Sequence, residues 1–357
     1  MARRRTAEIA IHRKPKRGSI PTPREIKAHL DEIVVGQEST KRKLSVATAN
    51  HYARLADGRG VSDPDLADVT IEKSNILMLG PTGCGKTYLA KALAEKLDVP
   101  FSMGDATSLT EAGYVGHDVE SILTGLIQAA DGDVKAAEKG IIYLDEFDKL
   151  RRTGENVSTT RDVGGEGVQQ SLLRMVEGSI VNVSENGSAR LHPEEPKTSI
   201  NTANILFICG GSFVGLEDIV AARLPSFNKP NLLSRVMPHD LIKFGIIPEL
   251  VGRLPVVAVL DGLSLNDLEA ILVKPRNALL KQYRKQCQQQ GYDVEFTACA
   301  VKAMASAANR MAIGARGLRS VIEIVMLDIQ FAATPGYRYV VDKDVVAGQK
   351  QAKGRKI

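Results

Sequence analysis

The segment Ile76-Leu-Met-Leu-Gly-Pro-Thr-Gly-Cys-Gly-Lys-Thr87 constrains this chain more than any other. Four apolar residues, too few for a helix, run into a glycine-rich turn, and Ala90 to Leu97 follows at helical spacing, so the order is strand, turn, helix. Gly80 to Thr87 within it has the spacing at which backbone N–H groups turn inward around a phosphate at the positive end of the next helix. Pro81, Thr82, Gly83, Cys84, Gly85, Lys86, Thr87 and Tyr88 are therefore read as nucleotide contacts. Lys86 supplies a point charge to the β and γ oxygens, and Thr87 offers its hydroxyl to Mg2+. Cys84 reads as a small spacer, because no base is recognisable beside it.

Two further buried-strand signals, Ile141 to Leu144 and Ile205 to Ile208, alternate with helical stretches. Short apolar strands separated by helices predict a parallel sheet covered on both faces. The second strand ends in Asp145-Glu146, paired carboxylates downstream of a full phosphate loop. That arrangement assigns Asp145 to Mg2+, through water, and Glu146 to polarising the attacking water, as a nucleotide hydrolase requires. Asp148 and Lys149, on the next turn, read as an exposed ion pair. Upstream, Ile26, Leu30 and Ile33 mark one helix and Leu44, Ala47 and Tyr52 another, interrupted by Gly36. From Ser264 the pattern becomes helical. The expected organisation is a basic disordered arm (1–20), a large nucleotide-binding domain (21–262), a small, mainly helical domain (263–347) and a flexible tail (348–357).

Charge narrows the function. The net charge is +5, yet residues 1–20 alone hold Arg3, Arg4, Arg5, Arg13, Lys14, Lys16 and Arg17 against Glu8. The arm exceeds the whole chain's surplus, so the body is near neutral and lacks the basic face that nucleic-acid binding requires. Nucleic-acid contact is expected, if anywhere, only at the arm. No run of eighteen apolar residues predicts a membrane span. Cys84, Cys209, Cys287 and Cys299 are scattered, without Cys-x-x-Cys, which fits neither zinc nor a disulfide framework and points to the cytoplasm.

With these residues in place, the stretch from Ile20 to about Pro335 resembles the ClpX family of AAA+ unfoldases. The islands that carry it are Pro21-Thr-Pro-Arg-Glu-Ile, Val34-Val35-Gly36-Gln37, Gly113-Tyr114-Val115-Gly116, Thr160-Arg161-Asp162-Val163, Ile247-Pro-Glu-Leu-Val-Gly-Arg253 and Gly314-Ala-Arg316-Gly-Leu-Arg319. The resemblance implies the AAA+ fold, an α/β parallel sheet sandwiched by helices and followed by a smaller helical domain. It also implies an ATPase with ATP and Mg2+ that works as a homohexameric ring, threading substrate proteins through a pore to unfold them. Val34 and Val35 would hold the adenine, Arg316 would touch the nucleotide of its own subunit, and Arg253 would reach the γ-phosphate held by a neighbour. Tyr114, Val115 and Val163 would grip substrate in the pore.

Three departures accompany this resemblance. The family's zinc-binding amino-terminal domain is expected to be absent, with the basic arm in its place. The family's pore-entrance Arg-Lys-His reads Arg190-Leu191-His192 here, one charge poorer. The interval from Ala221 to Met237 is short, and no Gly-Phe dipeptide occurs in the chain, so the Ile-Gly-Phe tripeptide that docks on the ClpP peptidase is missing and ClpP binding is called into doubt. Leu232 and Leu233 are the candidate substitute anchor. The alternatives are a DNA-associated AAA+ motor or loader, a subunit that still feeds ClpP, and a non-hydrolysing nucleotide-dependent scaffold, which Glu146 and Arg253 argue against.

Overall fold

A computed structural model describes residues 20–56, 63–66, 69–110, 117–152, 165–184, 197–224 and 232–357. The basic arm to residue 19, Tyr114, Val115, Val163 and the Arg190-Leu191-His192 segment lie outside the described residues. The chain forms two compact units.

The described residues of the first unit fall within 20–27, 42–79 and 90–259. Its centre is a sheet of five strands: β1 (Ile76–Leu79), β2 (Phe101–Asp105), β3 (Ile141–Asp145), β4 (Leu206–Gly211) and β5 (Val256–Val259). The order is β2-β3-β4-β1-β5, and every pairing is parallel. The three strands expected from continuous apolar runs are the three interior ones, where both faces are buried and no residue need be polar. The two edge strands were not expected. On β2, Ser102, Gly104 and Asp105 break the apolar run, since an edge exposes part of its surface. One face of the sheet, with Leu77, Leu79, Ile142, Leu144 and Phe207, packs on Leu123 and Leu126 of helix α4 (Ser121–Ala129) and Leu172 and Val176 of helix α5 (Glu166–Glu177).

The second unit comprises residues 28–41, 80–89 and 260–357. The division runs through helices α1 (Pro23–Ile33), α2 (Glu38–Leu55) and α3 (Lys86–Leu97). Gly36 and Gln37 take φ of +66° and +58°, a left-handed turn that lets α2 start where α1 stops. The carboxy-terminal part packs helices α6 (Leu265–Val273), α7 (Leu279–Gln289), α8 (Ala298–Arg310) and α9 (Arg316–Ala332) around Leu272, Tyr283, Met304, Leu318, Ile322 and Met326. A small sheet completes it: β6 (Asp293–Phe296) runs parallel to β7 (Tyr337–Val341), and β8 (Gly354–Lys356) antiparallel to β7. The end of the chain, expected from its Lys and Gly content to fray, therefore contains a strand. The free edge of β7 presents backbone donors and acceptors, and residues 354–356 satisfy them regardless of side chain.

Candidate functional site

The phosphate loop is built by glycines. Gly83 has φ +77° and Gly85 φ +106°, conformations that L residues rarely adopt. A Cβ on Gly83 would stand 2.2 Å from the carbonyl oxygen of Ile313, and Gly83 O accepts a hydrogen bond from Ala315 N at 3.1 Å. The loop thus packs backbone to backbone on the turn that opens α9. Lys86, the first residue of α3, is buried, and its ammonium donates to Gly80 O at 2.6 Å and Pro81 O at 3.1 Å. Its charge is therefore held against the loop itself.

Beside the loop, within the same unit, lies a cavity of about 330 Å³. Gly83, Cys84, Gly85 and Tyr88 form one wall and Val34 and Val35 another, six residues that the sequence assigned to nucleotide. Ile33, adjacent to Val34, and Leu263, Ile271, Leu279, Gln282 and Arg319, from the carboxy-terminal part of the chain, also line it and were not anticipated. Nothing in their local spacing sets them apart from ordinary residues in and beside helices. Arg316 is exposed and is absent from the lining; Arg319, one turn along, occupies that wall. The Val34 segment is held in place by Gln37, whose amide donates to Asp261 O at 2.8 Å and accepts from Asp261 N at 2.9 Å.

In the first unit, β3 ends at Asp145, whose Oδ1 accepts from Tyr143 Oη at 3.1 Å and Glu146 N at 3.0 Å. Glu146 is exposed at φ +54° and ψ +30°. A non-glycine residue there carries roughly 1–3 kcal/mol of strain, which the surrounding structure must offset, and such strain clusters at functional positions. Asp148 corrects half of the sequence reading. Its ion pair with the exposed Lys149 is present at 3.7 Å, but Asp148 itself is 4% exposed and accepts from the backbone nitrogen and hydroxyl of Ser212. Ser212 follows β4, the strand between β3 and β1, so Asp148 ties the turn after β3 to the end of the neighbouring strand.

Arg253 is placed at the amino-terminal end of the strands. Asn75, buried just before β1, donates to Arg253 O at 3.0 Å, while Asp145 lies at the carboxy-terminal end of its strand. The guanidinium Nε of Arg253 donates to Glu177 Oε1 at 3.0 Å.

Comparison with known proteins decides the family. Residues 71–257 match the model described as "AAA domain (Cdc48 subfamily)", and residues 263–331 match "C-terminal, D2-small domain, of ClpB protein". A protein of Treponema denticola named "ATP-dependent Clp protease ATP-binding subunit ClpX" is 52% identical over 330 residues, 88% of this chain and 78% of the relative. Proteins of the same name from Borrelia duttonii (51% identical, covering 87% and 74%) and Porphyromonas gingivalis (48%, covering 92% and 82%) are similar.

This chain belongs to the ClpX family.

As a ClpX-family chain it is an AAA+ ATPase, and the α/β architecture expected from its strands is the one observed. Among the described residues, no helix of this ClpX-family protein is long and apolar enough to cross a membrane.

Proposed function

We propose that this protein binds ATP in the 330 Å³ cavity, hydrolyses it with Glu146 and Asp145, and uses the energy as a homohexameric ring to unfold proteins drawn through its pore. The observation that carries the ATP reading is the cavity itself, with aliphatic walls suited to a base and a glycine cradle suited to phosphates in one compact unit. Lys86 would leave its loop carbonyls for the phosphates. Thr87 and Asp145 would hold Mg2+, and a hydroxyl with a carboxylate is the hard oxygen set that ion prefers. The ion, held there, would supply positive charge that offsets the charge developing on the phosphate. Glu146 accepts hydrogen bonding from the attacking water and orients it.

Family membership supports the unfolding step, as do Tyr114 and Val115 between two glycines, a bulky apolar pair suited to gripping a chain without reading its sequence. The position of Arg253 at the strand ends opposite Asp145 supports its action on the nucleotide of a neighbouring subunit. The test is turnover of ATP and unfolding of a tagged protein by the parent chain, Lys86→Ala and Glu146→Gln. Lys86→Ala should lose nucleotide binding, while Glu146→Gln should bind ATP without hydrolysing it and trap substrates. Equal ATP affinity for Lys86→Ala and the parent would remove the site assignment, and full ATPase without unfolding would remove the unfoldase.

The relatives' name, a subunit of an ATP-dependent Clp protease, supports a peptidase partner here. One observation favours a second reading, in which substrates are remodelled and released. The interval from Ala221 to Met237 lacks the Gly-Phe of the docking tripeptide, Arg223 joins Asp240 across it at 2.7 Å, and Leu233 is buried in the core, leaving Leu232 as the remaining anchor. Co-sedimentation with the host's ClpP in ATP separates the two.

A further inference from the structure

The side chain of Arg253 is held by a frame that nothing in its sequence neighbourhood announces. Glu177 is the last residue of α5, where the negative end of a helix disfavours a carboxylate, so its placement is explained by an external cation rather than by the helix. That cation is Arg253, bonded at 3.0 Å through Nε alone. The backbones of the two partners are fixed by one side chain. Asn75 Nδ2 donates both to Val176 O, next to Glu177, at 3.3 Å and to Arg253 O at 3.0 Å. Asn75 Oδ1 in turn accepts from Phe207 N at 3.2 Å, which ties the frame to β4. The end of α5 is pinned again by Thr202, whose hydroxyl donates to Met175 O at 2.8 Å and accepts from Ser179 N at 2.9 Å.

We propose that Glu177 is a positioning residue for Arg253: by accepting the Nε hydrogen it sets the plane of the guanidinium and leaves the two terminal nitrogens as a fork for the terminal phosphate of ATP held by a second copy of this chain. This rests on the reading of Arg253 as acting across the subunit interface. Both side chains are about half exposed, so the pair adds little stability, and its consequence is orientation. Misplacing a group that acts only in the transition state lowers kcat and leaves ground-state affinity alone.

The test measures kcat and KM for ATP in assembled rings of the parent, Arg253→Ala, Glu177→Ala, Glu177→Gln and the Arg253→Ala/Glu177→Ala double variant. Glu177→Ala should lower kcat about tenfold with KM within about twofold of the parent, the scale expected of an arginine displaced by a fraction of an ångström to an ångström. Glu177→Gln, whose amide oxygen still accepts the Nε hydrogen, should keep half or more of the parent rate. The double variant should be no slower than Arg253→Ala. Rings mixing Glu177→Ala with Glu146→Gln subunits should recover hydrolysis, because some interfaces then pair an intact Glu146 with a correctly held Arg253. If Glu177→Ala does not assemble, Glu177→Asp, which withdraws the carboxylate by one methylene, carries the same expectation. A parental or raised kcat for Glu177→Ala, alongside an inactive Arg253→Ala, overturns the proposal and leaves the arginine reading standing. A fully active Arg253→Ala overturns that reading, and the proposal with it.

Discussion

The carboxylate of Asp148 holds Ser212 at two points, accepting from its backbone nitrogen and its hydroxyl, each at 3.0 Å. The contact leaves no room for a side chain at Gly211, where a Cβ would meet Asp148 Oδ1 at 2.4 Å. Asp148→Ala strands two donors and should destabilise the protein by about 1–3 kcal/mol. Thermal melting of the variant reads this directly, and an unchanged melting temperature would mean that water replaces the carboxylate without cost.

Gly83→Ala tests the packing of the phosphate loop on the turn before α9. At φ +77°, with Ile313 O 2.2 Å from the position of the new Cβ, the substitution adds strain of roughly 1–3 kcal/mol and forces the two backbones apart. ATP affinity, followed with a fluorescent nucleotide, should fall by about tenfold or more. Gly85→Ala meets no neighbouring atom, so its smaller effect on stability isolates the contribution of contact from that of backbone conformation.

Acid sensitivity is expected from His51. The residue is 4% exposed, and its Nε2 lies 3.1 Å from Asn204 O. Burial, and then the charge of Arg54, hold its pKa down at about 3. Its ordinary value is 6.5, so the unfolded chain takes up a proton that the native state refuses. Stability present above pH 6.5 is therefore lost progressively as the pH falls toward 3. His51→Gln should flatten this dependence. Melting temperatures between pH 7 and pH 5 that fall equally in parent and variant would show that other groups carry it.

Tyr114→Ala separates gripping from hydrolysis. Basal ATPase should stay within a few-fold of the parent while unfolding of a tagged test protein stops, because the side chain is proposed to touch substrate and not nucleotide. Retained unfolding would remove Tyr114 from the pore.

The readings that sequence alone supports are those whose residues are contiguous along the chain. The roles proposed for Gly80 to Thr87 and Asp145-Glu146 come from sequence because phosphate cradling and water activation require particular residue types at fixed local spacing, and the interior strands were legible because burial on both faces demands unbroken apolar runs. Val34 and Val35 were legible only through resemblance. Tertiary structure alone decided that Ile271, Leu279, Gln282 and Arg319 join those valines around one cavity, since each is an ordinary helix residue until α6, α7 and α9 are packed. It alone turned Asp148 inward to Ser212, because adjacent charges look alike in a sequence whether a turn faces solvent or a neighbouring strand. It also brought Glu177 to Arg253 across 76 residues, a meeting set by the two carbonyls that Asn75 binds at the start of β1. Contacts of that kind depend on where elements stand in space, which local side-chain pattern does not encode.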